Sequence, residues 1–255
     1  MQKNIILAGV GGQGILSIAY VIDNAALASG LHFKQAEVHG MAQRGGAVQS
    51  HLRYSDREVY SDIIPQGRAD MIISVEPLEV MRYWHYLRPE GWVVASVTPY
   101  VNIPDYPEND ALLGELAAFP RAVLVDSGQL ARAAGNMRAQ NMVVVGAAAP
   151  LLDLDQELLL EWVAKLFAAK GEKIVDVNQR AFRLGRAAGS VHRGLVEQGV
   201  PGATALALCR RMSPETLDPE QVPAWARLWE RNPERVEELL AGSEPIPCDR
   251  AASLA

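Results

Sequence analysis

The sequence predicts an α/β fold: a Rossmann-like, mostly parallel sheet with an antiparallel edge hairpin, followed by a helical C-terminal extension. Three observations predict it. First, the apolar run at residues 4–8 breaks into Gly9, Gly11, Gly12 and Gly14 and resumes as helix formers, which reads as strand, tight turn and helix N-terminus. Second, short apolar runs at 69–75, 92–97 and 122–126 alternate with helical periodicity, as buried parallel strands do. Third, from about Gly199 prolines punctuate charged, helix-prone sequence, which marks a change of organisation. The boundaries expected are 1–198 for the α/β domain and 199–255 for the extension.

In chain order, Ile15, Ile18, Ala19, Ile22, Ala25 and Ala26 recur at helical spacing until Ser29-Gly30 stops them. Residues 32–38 return as a strand and close a right-handed β-α-β unit. Residues 47–54 alternate with period two, and 58–61 resume after a polar turn, so a hairpin is expected between these two runs, with His51 and Arg53 on a solvated face. The strand at 69–75 ends at Glu76-Pro77, where Pro77 opens a helix running to about Leu87, stopped by Pro89-Glu90-Gly91. The strand at 92–97 leads into a proline-rich loop or lid at 99–107. A strand at 122–126 precedes an alanine-rich helix, and three further helices are expected at 141–152, 156–169 and 175–188. In the extension, Trp225 and Trp229 share one helical face and are expected to anchor it on the main domain or on another subunit.

Composition narrows the function. The 255 residues suffice for a substantial core, and 49% hydrophobic with 21% charged is ordinary for a soluble globular chain. A net charge of −6 argues against electrostatic capture of nucleic acid, and no apolar run approaches the length of a membrane span. Cys209 and Cys248 stand far from metal-ligand spacing, so neither a zinc nor an iron–sulfur site is expected; they read as reduced thiols in a cytoplasmic protein.

The chemistry concentrates in two glycine clusters. Gly9, Gly11 and Gly14 follow the G-x-G-x-x-G spacing, with Gly12 and Gln13 inside it; such a turn lets a ligand phosphate or a neighbouring backbone approach, and the helix dipole favours an anion. Glu37 stands roughly where a dinucleotide fold keeps its ribose-binding acid. In the second cluster, His39, Gln43 and Arg44 are set among Gly40, Gly45 and Gly46. Arg44 either grips a phosphate or carboxylate or ties the loop to a nearby acid. His39 is placed for acid–base work, although bracing the loop is the simpler role. Asp126 at a strand's carboxyl end is either a ligand-side residue or a helix cap.

The stretches Gly9-Val10-Gly11-Gly12-Gln13-Gly14, Glu37-Val38-His39-Gly40-Met41-Ala42-Gln43-Arg44-Gly45-Gly46 and Val177-Asn178-Gln179-Arg180-Ala181-Phe182 together resemble one family. It is the gamma subunit or domain of the 2-oxoacid:ferredoxin oxidoreductases, and the likeness is closest to the indolepyruvate ferredoxin oxidoreductase beta subunit. The resemblance covers roughly residues 1–195. It implies a hetero-oligomer in which a partner (alpha) subunit carries thiamine diphosphate, magnesium and iron–sulfur clusters. That complex would oxidatively decarboxylate a 2-oxoacid, with coenzyme A as co-substrate and ferredoxin as electron acceptor. This chain would supply no catalytic residue and no metal ligand; Gly9, Gly11, Gly12, Gln13, Gly14, His39, Gln43, Arg44, Gly45 and Gly46 would line the cofactor side. Two other readings stand beside it: a free-standing NAD-dependent oxidoreductase, and a purely structural dimerisation or docking subunit.

Overall fold

The computed structural model describes residues 1–39 and 45–254, the side chain of His39 excepted. Its centre is a six-stranded sheet, β1 (Gln2–Val10), β2 (His32–His39), β3 (Ala47–Ser55), β4 (Ala69–Ser74), β5 (Leu87–Ser96) and β6 (Ala122–Val125), in the order β2-β3-β1-β4-β5-β6. β1, β4, β5 and β6 pair in parallel, whereas β3 runs antiparallel to both β1 and β2. The predicted fold class is the one observed.

The wiring of its first half differs from expectation. The helix α1 (Ile15–Ala28) carries the chain from β1 past the position of β3 to the sheet edge, so β2 does not pair with β1. The hairpin partner of β3 is β2, and residues 58–61 form no strand. Burial explains the exchange. β3 contributes Val48, Leu52 and Tyr54 to the core, while β2 is rich in polar residues such as Lys34, Gln35 and Glu37 and suits an edge. The expected solvated face is not found at His51, which is buried with its Nδ1 accepting from Ile64 N at 3.1 Å, while Arg53 is half-buried and donates to Ser61 O at 2.8 Å. They brace the returning segment against the sheet.

Helices cover both faces. On one, α1 packs with α4 (Ser127–Ala134), α5 (Gln140–Ala148), α6 (Gln156–Phe167) and α7 (Glu172–Glu197) over Ile5, Leu7, Met71 and Ile73. On the other, α2 (Pro77–Tyr83) and α3 (Asn109–Ala118) bury Val80, Leu113 and Leu116 against Val93, Ala95 and Leu124. Three expectations need correction here. α2 stops at Tyr83, and after a single turn β5 begins at Leu87, so Pro89-Glu90-Gly91 lies inside a strand. Gly91 leaves room there for the Leu87 side chain, which a Cβ would displace, standing 2.4 Å from its Cδ1. α3 was not anticipated, although Leu112, Leu113 and Leu116 have helical spacing. α7 runs on to Glu197 rather than ending at 188.

α5 and α7 form the tightest contact of that layer. A Cβ on Gly146 would lie 2.0 Å from Phe182 O, and one on Gly185 1.9 Å from Val143 O. Only glycines let these two backbones approach so closely.

The extension folds as α8 (Gly202–Arg211), α9 (Val222–Arg231), α10 (Pro233–Ala241) and a terminal 3-10 turn, Cys248–Ser253. Trp225 is fully buried, joins the same hydrophobic cluster as the sheet, and donates its indole N–H to Cys248 O at 2.6 Å. Trp229 packs at that cluster's margin. Among the described residues no helix is long and apolar enough to cross a membrane.

Candidate functional site

Register places every loop of interest on one edge of the sheet. Gly9 of β1 faces Val48 of β3, which faces His39 of β2, and the carboxyl ends of β4, β5 and β6 align through Ala8–Ser74, Ser74–Ala95 and Ser96–Val125. This is the edge at which open α/β sheets bind ligands.

The glycine turn follows β1 here. Gly12 has φ +102° with open space around it, and Gly14 has φ +80° and begins α1 without a side-chain cap. Gln13 folds back so that its Oε1 accepts from Val10 N at 2.7 Å, which closes the turn. Gly9 and Gly14 are tightly enclosed: Cβ atoms would meet Ile15 Cδ1 at 2.7 Å and Asn141 Nδ2 at 2.5 Å. Asn141 of α5 donates to Gly14 O at 3.3 Å and so pins the turn to the helix layer.

The second cluster meets the first. Gly11 N donates to Gly46 O at 2.8 Å, and Gly45 N approaches Gly11 O at 3.5 Å. Gly45 has φ +77°, a conformation that favours glycine. The structure thus brings Gly9, Gly11, Gly12, Gln13, Gly14, Gly45 and Gly46 together. His39 ends β2 on the same edge, and Gln43 and Arg44 lie outside the described residues.

Sequence reasoning missed the partners of these loops. Glu76 is buried after β4; its Oε2 accepts from Glu79 N at 2.9 Å, which caps α2, and its Oε1 accepts from Tyr100 N at 3.3 Å and from the Tyr106 hydroxyl. Burial first, then the Glu76 carboxylate, pushes the Tyr106 phenol well above its usual range. Tyr100 and Tyr106 belong to the expected proline-rich loop, so Glu76 fastens that loop at two points. Asn102 at its tip donates to Gly45 O at 2.5 Å, which draws it over to the glycine clusters. Beneath it, Ser127 donates to Gln140 Oε1 at 2.9 Å and therefore accepts from Ser96, 2.6 Å away. Asp126 is a helix cap, accepting from Gln129 N at 2.9 Å. The Glu76-Pro77 pair at a strand end was a readable capping signal; nothing local marks Tyr106 or Asn141.

The nicotinamide reading loses its acid. In a dinucleotide fold the ribose-binding residue ends the strand next to β1, but Glu37 lies on β2, with β3 between, about 10 Å from β1 at the usual strand spacing. Among the described residues no group of three His, Cys, Asp or Glu is placed to hold a metal ion. Cys209 and Cys248 are both buried free thiols, raised in pKa by burial, and do not fit a four-thiolate cluster.

The glycine turn and the Gly45-Gly46 end of the β2–β3 connection thus meet at the carboxyl edge of an α/β sheet flanked by helices on both faces. The chain belongs to the pyruvate ferredoxin/flavodoxin oxidoreductase family, whose model matches residues 4–188. Indolepyruvate oxidoreductase subunit IorB of Archaeoglobus fulgidus is 38% identical over 193 residues, covering 72% of this chain and 94% of that protein. Its Thermococcus kodakarensis namesake is 36% identical over 210 residues, 76% and 99% of the two chains.

Solved structures share the fold. The 2-oxoglutarate:ferredoxin oxidoreductase from Magnetococcus marinus, with 2-oxoglutarate, coenzyme A and succinyl-CoA bound, superposes with TM-score 0.60 at 23% identity, over 73% of this chain and 30% of that one. The gamma subunit of a keto/oxoacid ferredoxin oxidoreductase from Geobacter sulfurreducens PCA gives TM-score 0.54 at 22% identity, over 73% and 95%.

Proposed function

We propose that this chain is the non-cluster subunit of a 2-oxoacid:ferredoxin oxidoreductase, with indolepyruvate or another aryl pyruvate as substrate class, and that it helps to complete a thiamine diphosphate and coenzyme A site on a partner subunit. The observation that carries this reading is the Gly11–Gly46 hydrogen bond, which makes one surface of the two motifs. Thiamine diphosphate and the iron–sulfur clusters, held by the partner, would supply decarboxylation and electron transfer towards ferredoxin. This chain's own work is binding and orientation. Its glycine turn offers amides and the positive end of α1 to an anion, Arg44 offers a guanidinium, and the fastened loop at 97–108 excludes water.

Co-purification tests the assignment. A thiamine-binding, cysteine-rich polypeptide is expected to travel with the chain in stoichiometric amount, and the isolated chain is expected to be inactive. Full activity of the chain alone, or micromolar NADH binding seen by tryptophan fluorescence, contradicts the reading.

A second reading has its own observation. Gly9 and Gly14 are enclosed by Ile15 and Asn141, which suits a turn whose glycines serve packing and docking alone. Under that reading Gly11→Ala perturbs assembly while coenzyme A affinity in the assembled complex stays intact.

A further inference from the structure

Between α4, α8 and α10, beyond the β6 edge and away from the glycine turn, lies a cleft of about 580 Å³ lined by Asp126, Gln129, Arg132, Arg210, Arg211 and Leu240. Three guanidiniums face one carboxylate. That carboxylate is already engaged: Arg210 Nε lies 3.1 Å from Asp126 Oδ2, and Asp126 Oδ1 accepts from Gln129 N at 2.9 Å. Arg211 is held by the end of α10 and the segment after it, donating to Leu240 O at 3.0 Å and to the carbonyls of Gly242 and Glu244. Arg132 reaches only the Met137 sulfur, at 3.3 Å, and pairs with no carboxylate among the described residues.

Two positive charges are therefore left uncompensated. Each guanidinium carries five donors; Arg211 uses three of them and Arg210 one on protein acceptors, so free N–H groups remain in the cleft. Two of the three side chains are fixed before any ligand arrives, which lowers the entropy lost on binding. Arg132 belongs to the part of the chain matched by the family, whereas Arg210, Arg211 and Leu240 lie beyond residue 188. The cleft exists because the extension docks.

We propose that this cleft is a binding site for a small polyanion carrying at least two negative charges, as phosphoryl or carboxylate groups gripped by the arginine forks. Calorimetric titration of the full chain with inorganic pyrophosphate, and separately with citrate, tests it. Binding of pyrophosphate alone marks a phosphoryl site, of citrate alone a carboxylate site, and of both a site that reads charge. In each case Arg132→Gln and Arg210→Gln weaken the interaction by about tenfold, and Arg227→Gln, on the exposed part of α9, leaves it unchanged. Binding of neither anion, affinity unaltered in Arg132→Gln, or an equal loss in Arg227→Gln overturns the proposal. Arg132 has no ion pair to lose, so its variant is expected to fold normally.

Discussion

At the scale of single residues, the glycine turn mixes conformational need with crowding. Gly14→Ala forces a side chain into φ +80° and against Asn141, so a loss of roughly 1–3 kcal/mol is expected in chemical denaturation. Gly12→Ala meets no neighbour, so its cost is expected to be the backbone strain at φ +102° without a steric clash. The glycine spacing was visible in the sequence. Asn141, 127 residues away, carried no local signal, because its role arises only when α5 packs on the turn.

Asp23 of α1 makes a different prediction. It is 4% exposed, one of its carboxyl oxygens has no partner, and burial raises its pKa from 3.8 to about 7. A carboxyl whose folded pKa is raised stabilises the fold least when ionised. Stability contributed by this group is full below the unfolded value of 3.8 and is lost as pH rises through about 7. Asp23→Asn is therefore expected to stabilise the protein by up to roughly 4 kcal/mol above neutrality and by little at pH near 4. Melting curves of both proteins across that range read the effect; a gap that does not widen with pH refutes it.

At the scale of elements, the buried strands were legible because apolar runs with turn residues on both sides have few alternatives. Pairing was not. The polar residues of β2 and the apolar ones of β3 decide which strand lies inside the sheet, and that choice depends on α1 crossing over β3. α7 runs on through Gly189 and Gly194 to Glu197, and these two glycines admit Ala147 and Val222. The α5–α7 contact is accordingly sensitive: Gly185→Ala drives a methyl into Val143 O and is expected to cost at least about 3 kcal/mol. Trp225→Ala opens the core under the extension and is expected to cost about 3–5 kcal/mol. Because the extension shares one hydrophobic cluster with the sheet, both variants are expected to unfold in a single cooperative transition. A separate early transition of the extension in the Trp225 variant contradicts that shared core.

At the scale of the whole molecule, the carboxyl edge of the sheet gathers the glycine turn, the β2–β3 connection and the fastened loop at 97–108 onto one surface. The two glycine motifs were both readable, and so was their meeting, which the Gly11–Gly46 hydrogen bond makes; the strand pairing beneath it was not, since β2 and β3 had been assigned other partners. The Glu76–Tyr106 contact was likewise hidden, being made by residues 30 apart across an irregular loop. An edge built of amides suits the proposed role of orienting an anionic group.

The most direct test is Arg44→Ala in the complex reconstituted with its partner. The account predicts that the variant assembles as the unaltered protein does while coenzyme A-dependent turnover falls, with a raised KM for coenzyme A. Assembly with an unchanged coenzyme A dependence would contradict it.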